Sequence, residues 1–220
     1  MDYRERAAAV AGATVWERTS AGGEFLVLPD GSMDLMLMDD ELVVAGPDSR
    51  AWTGSAVAGT RYVGVRFAPG DAPGFLGVPA HELLNERVGL SDLWSRGRCQ
   101  RLADRVRAGG LDRAVAETME APADRLAQQV VRAVRGGGAV AGLARSLGIS
   151  ERQLHRRCLA AFGYGPKMLD RVLRMNAALD RARTGQRLAE VAAVSGYADQ
   201  AHLTRDVKAL TGLPPSTLLR

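Results

Sequence analysis

Two stretches of this 220-residue chain obey one grammar, and that grammar restricts the fold more than any other feature. In GLARSLGISERQLHRRC (residues 142–158) and EVAAVSGYADQAHLTRDV (190–207), a small residue, Ala144 or Ala192, stands four positions before a glycine, Gly148 or Gly196. A residue suited to capping a helix follows, Ser150 or Asp199, and then a leucine, Leu154 or Leu203. Each requirement has a physical cause. Helices that cross steeply need a small side chain where they touch, and a tight turn needs a residue that takes positive φ cheaply. A new helix also needs an oxygen to accept from its first free N–H groups. The spacing predicts a helix-turn-helix, and its recurrence predicts two.

Around these turns the pattern predicts helices over 122–135, 140–147, 151–162, 167–183, 188–195 and 200–211, with a last turn after Pro215. Leu147, Ile149, Leu154 and Phe162 form an apolar side in the first unit, and Val191, Tyr197, Leu203, Val207 and Leu210 form it in the second. The opposite side carries Arg152, Gln153, His155, Arg156 and Arg157 in one unit, and Gln200, Ala201, His202, Thr204, Arg205, Asp206 and Lys208 in the other. Arginine offers a planar donor fork to guanine, glutamine pairs with adenine, and threonine or alanine meets a thymine methyl group. One such face reads as a solvated helix side; two faces on one turn grammar read as a pair that enters a major groove. The helix over 167–183 spans about 25 Å, and with the bodies of the flanking units added the two faces could sit about one DNA turn, ~34 Å, apart. Arg171, Arg174, Arg181 and Arg183 on that helix either touch phosphate or solvate the linker.

Charge supports a polyanionic partner for one half only. Residues 1–121 hold 13 Arg/Lys against 18 Asp/Glu, net −5, whereas residues 122–220 hold 16 against 7, net +9. A uniform surface charge would serve solubility, but this asymmetry points the basic half at nucleic acid.

The first half reads differently. EFLVLPDGSMDLMLMDDELVVAGPDS breaks apolar runs at Pro29-Asp30-Gly31, Asp39-Asp40 and Gly46-Pro47, and TRYVGVRFAPG alternates Tyr62, Gly64 and Arg66 against Val63, Val65 and Phe67. That is the signature of antiparallel strands with one face on a core. From Pro79 onward Leu83, Leu84, Leu93, Trp94, Leu102 and Val106 take helical spacings, with Gly109-Gly110 as a stop. The fold class is therefore α+β in two domains: a β-rich domain with trailing helices over 1–110, a linker over 111–121 with the boundary at Pro122, and an all-α domain over 122–220.

The strings LARSLGISERQLHRRC, AAFGYGPKMLDRVLRMNAAL and VAAVSGYADQAHLTRDVKALTGLPPSTL resemble the AraC/XylS type of bacterial transcription regulator over about residues 122–220. The resemblance implies double-stranded DNA as partner, RNA polymerase as a further one, and no catalysis. Its base-reading positions fall on Arg152, His155 and Arg156 in the first unit and on Gln200, Thr204 and Arg205 in the second. Gln153, Arg157, His202 and Lys208 are then assigned to the DNA backbone. This chain departs from the family pattern at Cys158, Leu203 and Val207, where phenylalanine is usual, at Gly165, where serine is common, and at Leu219, where arginine is common. LPDGSMDLML and VGVRFAPGDAPGFLGVPAHEL resemble the small sensory domains of such regulators, which implies a shortened cupin-like sheet.

A small-molecule effector would find candidate pocket groups in Asp34, Met36, Trp52, Tyr62 and Arg66, although turns and surfaces account for each singly. Met33, Met36 and Met38 suit either an irregular apolar ligand or ordinary packing. The stripe of Leu102 and Val106 either forms a homodimer contact or covers the sheet. His81, His155 and His202 lack metal-ligand spacing, RGGGAVAGLAR lacks the ending of a phosphate loop, and no cofactor is expected. Cys99 and Cys158 make no disulfide framework, and Ala7 to Trp16 is too short and acid-flanked for a signal peptide or a membrane span, so the cytoplasm is the expected compartment. Two other functions stand beside regulation: a DNA-tethered module whose first domain binds a protein, and a DNA-repair protein that uses Cys99 or Cys158 as an alkyl acceptor.

Overall fold

The computed structural model describes residues 2–38, 40–119, 124–137, 140 and 142–219. Seven strands open the chain: β1 (Asp2–Ala7), β2 (Thr14–Thr19), β3 (Gly23–Val27), β4 (Asp34–Met38), β5 (Glu41–Ala45), β6 (Trp52–Ala56) and β7 (Arg61–Arg66). After α1 (Ala72–Leu76) and a 3-10 turn at Ala80–Leu83 come β8 (Arg87–Gly89), α2 (Leu90–Leu93) and α3 (Arg96–Thr118). Six strands form one antiparallel sheet in the order β1-β2-β7-β4-β5-β8, and β3 pairs with β6 in a separate two-stranded sheet.

The alternation along β7 decides the layers. Val65 and Phe67 join Val15, Leu35 and Val44 on the face that packs against Phe75, Leu76, Trp94 and Leu102. Gly64 and Tyr62 point the other way. The Trp16 indole lies over Gly64, where an added Cβ would come within 2.3 Å of the ring. The Arg18 guanidinium sits 3.9 Å from the Phe25 ring centroid, and Phe25 meets Tyr62 at 6.5 Å and Trp52 at 5.8 Å. The small β3-β6 sheet thus covers that face through aromatic contacts.

One expectation is met and one changes. Gly109-Gly110 ends the first helical leg of α3 as expected: Gly110 takes φ 80, ψ 166, outside helical geometry, and a second leg then runs to Thr118. Arg105 donates to the Thr118 hydroxyl at 2.7 Å, so the two legs fold back on each other. Leu111, Ala114 and Val115 are buried in the first core, which makes residues 111–118 part of the first domain and no linker. The boundary placed at Pro122 lies outside the described residues. Leu102 is buried against the sheet, so of the two readings of its stripe the structure takes the sheet cover.

The helical half holds α4 (Arg125–Arg135), α5 (Leu143–Ser146), α6 (Glu151–Phe162), α7 (Pro166–Arg183), α8 (Leu188–Val194), α9 (Gln200–Thr211) and α10 (Pro215–Leu218). The α7 helix serves two cores. Its first half packs Leu169 and Val172 with Val130, Leu143, Leu154, Cys158 and Phe162. Its second half packs Met175 and Leu179 with Val191, Tyr197, Leu203, Val207 and Leu210. No helix among the described residues is long and apolar enough to cross a membrane.

Candidate nucleic-acid interface

Both turns are built as their residue types dictate. Ala144 and Ala192 are buried at the helix crossings, Gly148 and Gly196 take φ 67 and 72, and the next N–H folds back on the alanine carbonyl at 3.0 Å in each unit (Ile149 to Ala144, Tyr197 to Ala192). The caps differ in kind. Ser150 and Gln153 form a reciprocal capping box on α6, with Gln153 Oε1 accepting from the Ser150 N–H at 2.9 Å. Asp199 alone caps α9, accepting from the His202 N–H at 2.6 Å.

From these fixed ends the expected side chains project as follows. Arg152, His155, Arg156 and Arg157 are exposed on α6; Gln200, Arg205 and Lys208 are exposed on α9, and Thr204 is half-buried beside them. Among the described residues, Arg152, Arg156, Arg157, Arg205 and Lys208 have no carboxylate within ion-pair distance, so their charge is uncompensated. Gln153 is exposed, but its side-chain oxygen is committed to the cap, which leaves its amide N–H groups as the available donors. The His155 ring fills the space beside Gly165: a Cβ there would lie 2.7 Å from the ring. A larger residue at 165 would therefore require the exposed imidazole to shift. His202 is half-buried, stacks edge-on against Tyr197 at 5.2 Å and accepts at Nδ1 from the Ala198 N–H at 3.3 Å. An accepting Nδ1 leaves Nε2 as the outward N–H donor.

Asp206 corrects the sequence reading. It is buried, not exposed, and its Oδ1 accepts from Arg171 at 2.9 and 2.7 Å, while Arg174 lies 3.6 Å from Oδ2 and Tyr197 donates to Oδ2 at 3.4 Å. The Arg174 guanidinium also sits 4.5 Å from the Tyr197 ring centroid. Arg171 and Arg174 therefore tie α7 to α9, and Arg183 pairs with Asp180 at 2.8 Å. The signal for Asp206 was present in the spacing, because Leu203 and Leu210 at i−3 and i+4 put it on the edge of the apolar stripe.

The five candidate pocket residues do not converge on one cavity. Asp34 and Arg66 meet at 3.2 Å across β4 and β7, with Trp16 Nε1 donating to Asp34 at 3.0 Å. Burial pushes the Asp34 carboxyl up to about 6, against the pull of Arg66. Tyr62 and Trp52 belong to the aromatic cluster around Phe25, with Arg87 4.7 Å from the Trp52 ring centroid, and Met36 is half-buried on β4. Of the five, Arg66 alone lines an open cleft of about 1220 Å³ between the two halves, where Glu5 and Asp30 face Arg135, Arg174 and Asn176. Among the described residues no three His, Cys, Asp or Glu side chains gather as a metal-binding group.

Comparison with known proteins follows this division. Residues 143–220 match the family model described as Helix-turn-helix domain, and residues 13–89 match one described as Domain of unknown function (DUF6597). No curated protein matches the chain. Among solved structures, ToxT from Vibrio cholerae O395 is similar with a TM-score of 0.52 at 10% identity, covering 94% of this chain and 96% of that one. A second structure of ToxT from Vibrio cholerae, the P21 form, gives a TM-score of 0.53 at 9% identity over 94% and 97%. Apo ToxT K231A from strain SCE256 gives 0.52 at 11% over 95% and 97%. At such identities the likeness is one of fold, and it extends over both halves.

Proposed function

We propose that this chain is a DNA-binding regulator of the AraC/XylS type, a double helix-turn-helix domain behind an antiparallel β-rich one, and that α6 and α9 read two adjacent major-groove segments of one duplex. The observation that carries this reading is the pair of capped helices, set on the same turn and presenting cations with no carboxylate partner among the described residues: Arg152, Arg156 and Arg157 on α6, Arg205 and Lys208 on α9. Arg152, His155, Arg156, Gln200, Thr204 and Arg205 are the base-reading set; Arg157, His202 through Nε2, Lys208 and the Gln153 amide serve the phosphates. DNase footprinting tests this. Two protected segments centred about 10 base pairs apart support it, and protection blind to sequence overturns it.

Control by a small-molecule effector is part of the same proposal. The interdomain cleft offers room for one, and its lining comes from both halves, so an occupant there would touch sensor and reader together. Alkyl transfer to Cys158 finds no support in the geometry. That thiol is buried in the first helical core and burial pushes it up to about 12, far from the thiolate a nucleophile needs.

A further inference from the structure

The loop between β5 and β6, residues 46–51, touches both candidate reading helices at their C-terminal ends. Pro47 is buried against Gly163, the residue that caps α6: a Cβ added to Gly163 would come 2.6 Å from the Pro47 ring. Four residues on, the Ala51 N–H donates to the carbonyl of Leu210 in the last turn of α9, at 2.7 Å. Four residues of extended chain reach at most about 14 Å, so this segment limits how far the two helix ends can part.

A limit matters only if the segment is stiff, and this one is pinned along its length. Gly46 N–H donates to the Glu86 carbonyl at 2.9 Å, and the Asn85 N–H donates to the Pro47 carbonyl at 2.9 Å. The Ser49 N–H donates to Asn85 Oδ1 at 2.9 Å, which holds Asn85 at a φ of 60. Arg87 grips the buried Asp48 through two bonds of 3.1 and 2.6 Å. Gly46 leaves no slack either, since a Cβ there would meet the Leu83 carbonyl oxygen at 1.7 Å. The loop is thereby welded to residues 83–87, and Leu84 of that segment and Ala80 just before it also line the end of α6. The 29–31 turn also meets α7: Asn176 donates to the Pro29 carbonyl at 2.7 Å, and Gly31 lies against Leu169 and Leu173.

We infer that loop 46–51 is a yoke: Pro47 and Ala51 are positioning residues that set the separation of α6 and α9, and with it the spacing between half-elements that this protein accepts on DNA. The inference rests on the reading of α6 and α9 as groove-reading helices. Two helices joined only through α7 could rock about their shared cores, because each core closes on its own half of that helix. The loop removes that freedom from outside the helical domain. A change in the β-rich domain that moves β5 or the 83–87 turn is then felt at both reading helices at once.

The test uses the full chain and two readouts. Spin labels at Arg157→Cys and Lys208→Cys, in a Cys99→Ser background, report the α6 to α9 distance without DNA. The expected result is one narrow distribution that broadens or shifts in Ala51→Pro, which removes the N–H donor, and in Pro47→Gly, which removes the ring from Gly163. Pro47→Gly decides the matter if Ala51→Pro loses its circular-dichroism signature. The second readout is affinity for duplexes whose half-elements are separated by inserted base pairs. Wild type should prefer one spacing by about tenfold, and the variants should flatten that preference to about threefold or less while binding an isolated half-element as before. Unchanged distance distributions, or an unchanged spacing profile, overturn the yoke. Failure of the DNA reading looks different: wild type gives no footprint while the labels still report the helix separation.

Discussion

Arg171 reaches from α7 to grip Asp206 on α9 through two hydrogen bonds of 2.9 and 2.7 Å, and it does so beneath the face that carries Arg205. The carboxylate is buried and the guanidinium partly exposed, so removal of the acid strands a half-desolvated cation beside a second one, Arg174. Asp206→Ala should cost about 1–3 kcal/mol of stability, less than a wholly buried pair because water screens Arg171. Urea unfolding measures this, and a loss below about 0.5 kcal/mol would show that Asp206 anchors nothing.

Arg205→Ala should weaken specific DNA binding by roughly 1–3 kcal/mol and relax preference at one base pair, if its fork reads a guanine edge. Lys208→Ala should instead weaken all sequences alike and lower the salt slope by about 0.9. Titrations at several salt concentrations separate the two outcomes. A uniform loss for Arg205→Ala would move that residue from the bases to the backbone.

Asp34 makes stability depend on pH with a defined sign. Its carboxyl is pushed from 3.8 up to about 6, by burial first, so between those values the folded chain holds a proton the unfolded chain has released. Stability therefore falls as pH rises from about 4 to 6 and levels off above, by about 3 kcal/mol at most. Asp48 and Asp71, both raised by burial, contribute in the same direction. Asp34→Asn should flatten the slope, and denaturation curves near pH 4 and near pH 7 check it; an unaltered slope assigns the effect elsewhere.

Gly165 and His155 should be coupled. Gly165→Ser puts a Cβ 2.7 Å from the exposed imidazole, which must swing aside, and should cost about 0.5–1 kcal/mol. In a His155→Ala background the same serine should cost little, giving a coupling energy above about 0.5 kcal/mol in a double-mutant cycle. Additive effects would mean that the ring moves aside freely.

The elements that could be read from sequence are those whose pattern is local. The expected helices over 151–162 and 200–211 coincide with α6 and α9, because cap, period and closing glycine all lie within a few turns of one another. The face-to-face alternation of β7 was equally plain, since Val65 and Phe67 can only share a side. What escaped was set by distant partners. Residues 111–118 read as a linker because they follow a glycine stop, and only the burial of Leu111, Ala114 and Val115 on the first core makes them a second helical leg of that domain. The place of Asp206 at the edge of the apolar stripe is legible from Leu203 and Leu210, but its partner Arg171, 35 positions away, is not. The seam itself joins Pro47 to Gly163 and Ala51 to Leu210, pairings no periodicity announces.

Every tryptophan of the chain, Trp16, Trp52 and Trp94, stands in the β-rich half, and the helical half has none. Trp52 directly follows the residue that bonds to Leu210, with the Arg87 guanidinium stacked on its ring. With Trp16 and Trp94 replaced by phenylalanine, its indole emission becomes an optical gauge at the joint, by which ligand or DNA arriving on either side is followed without an added label.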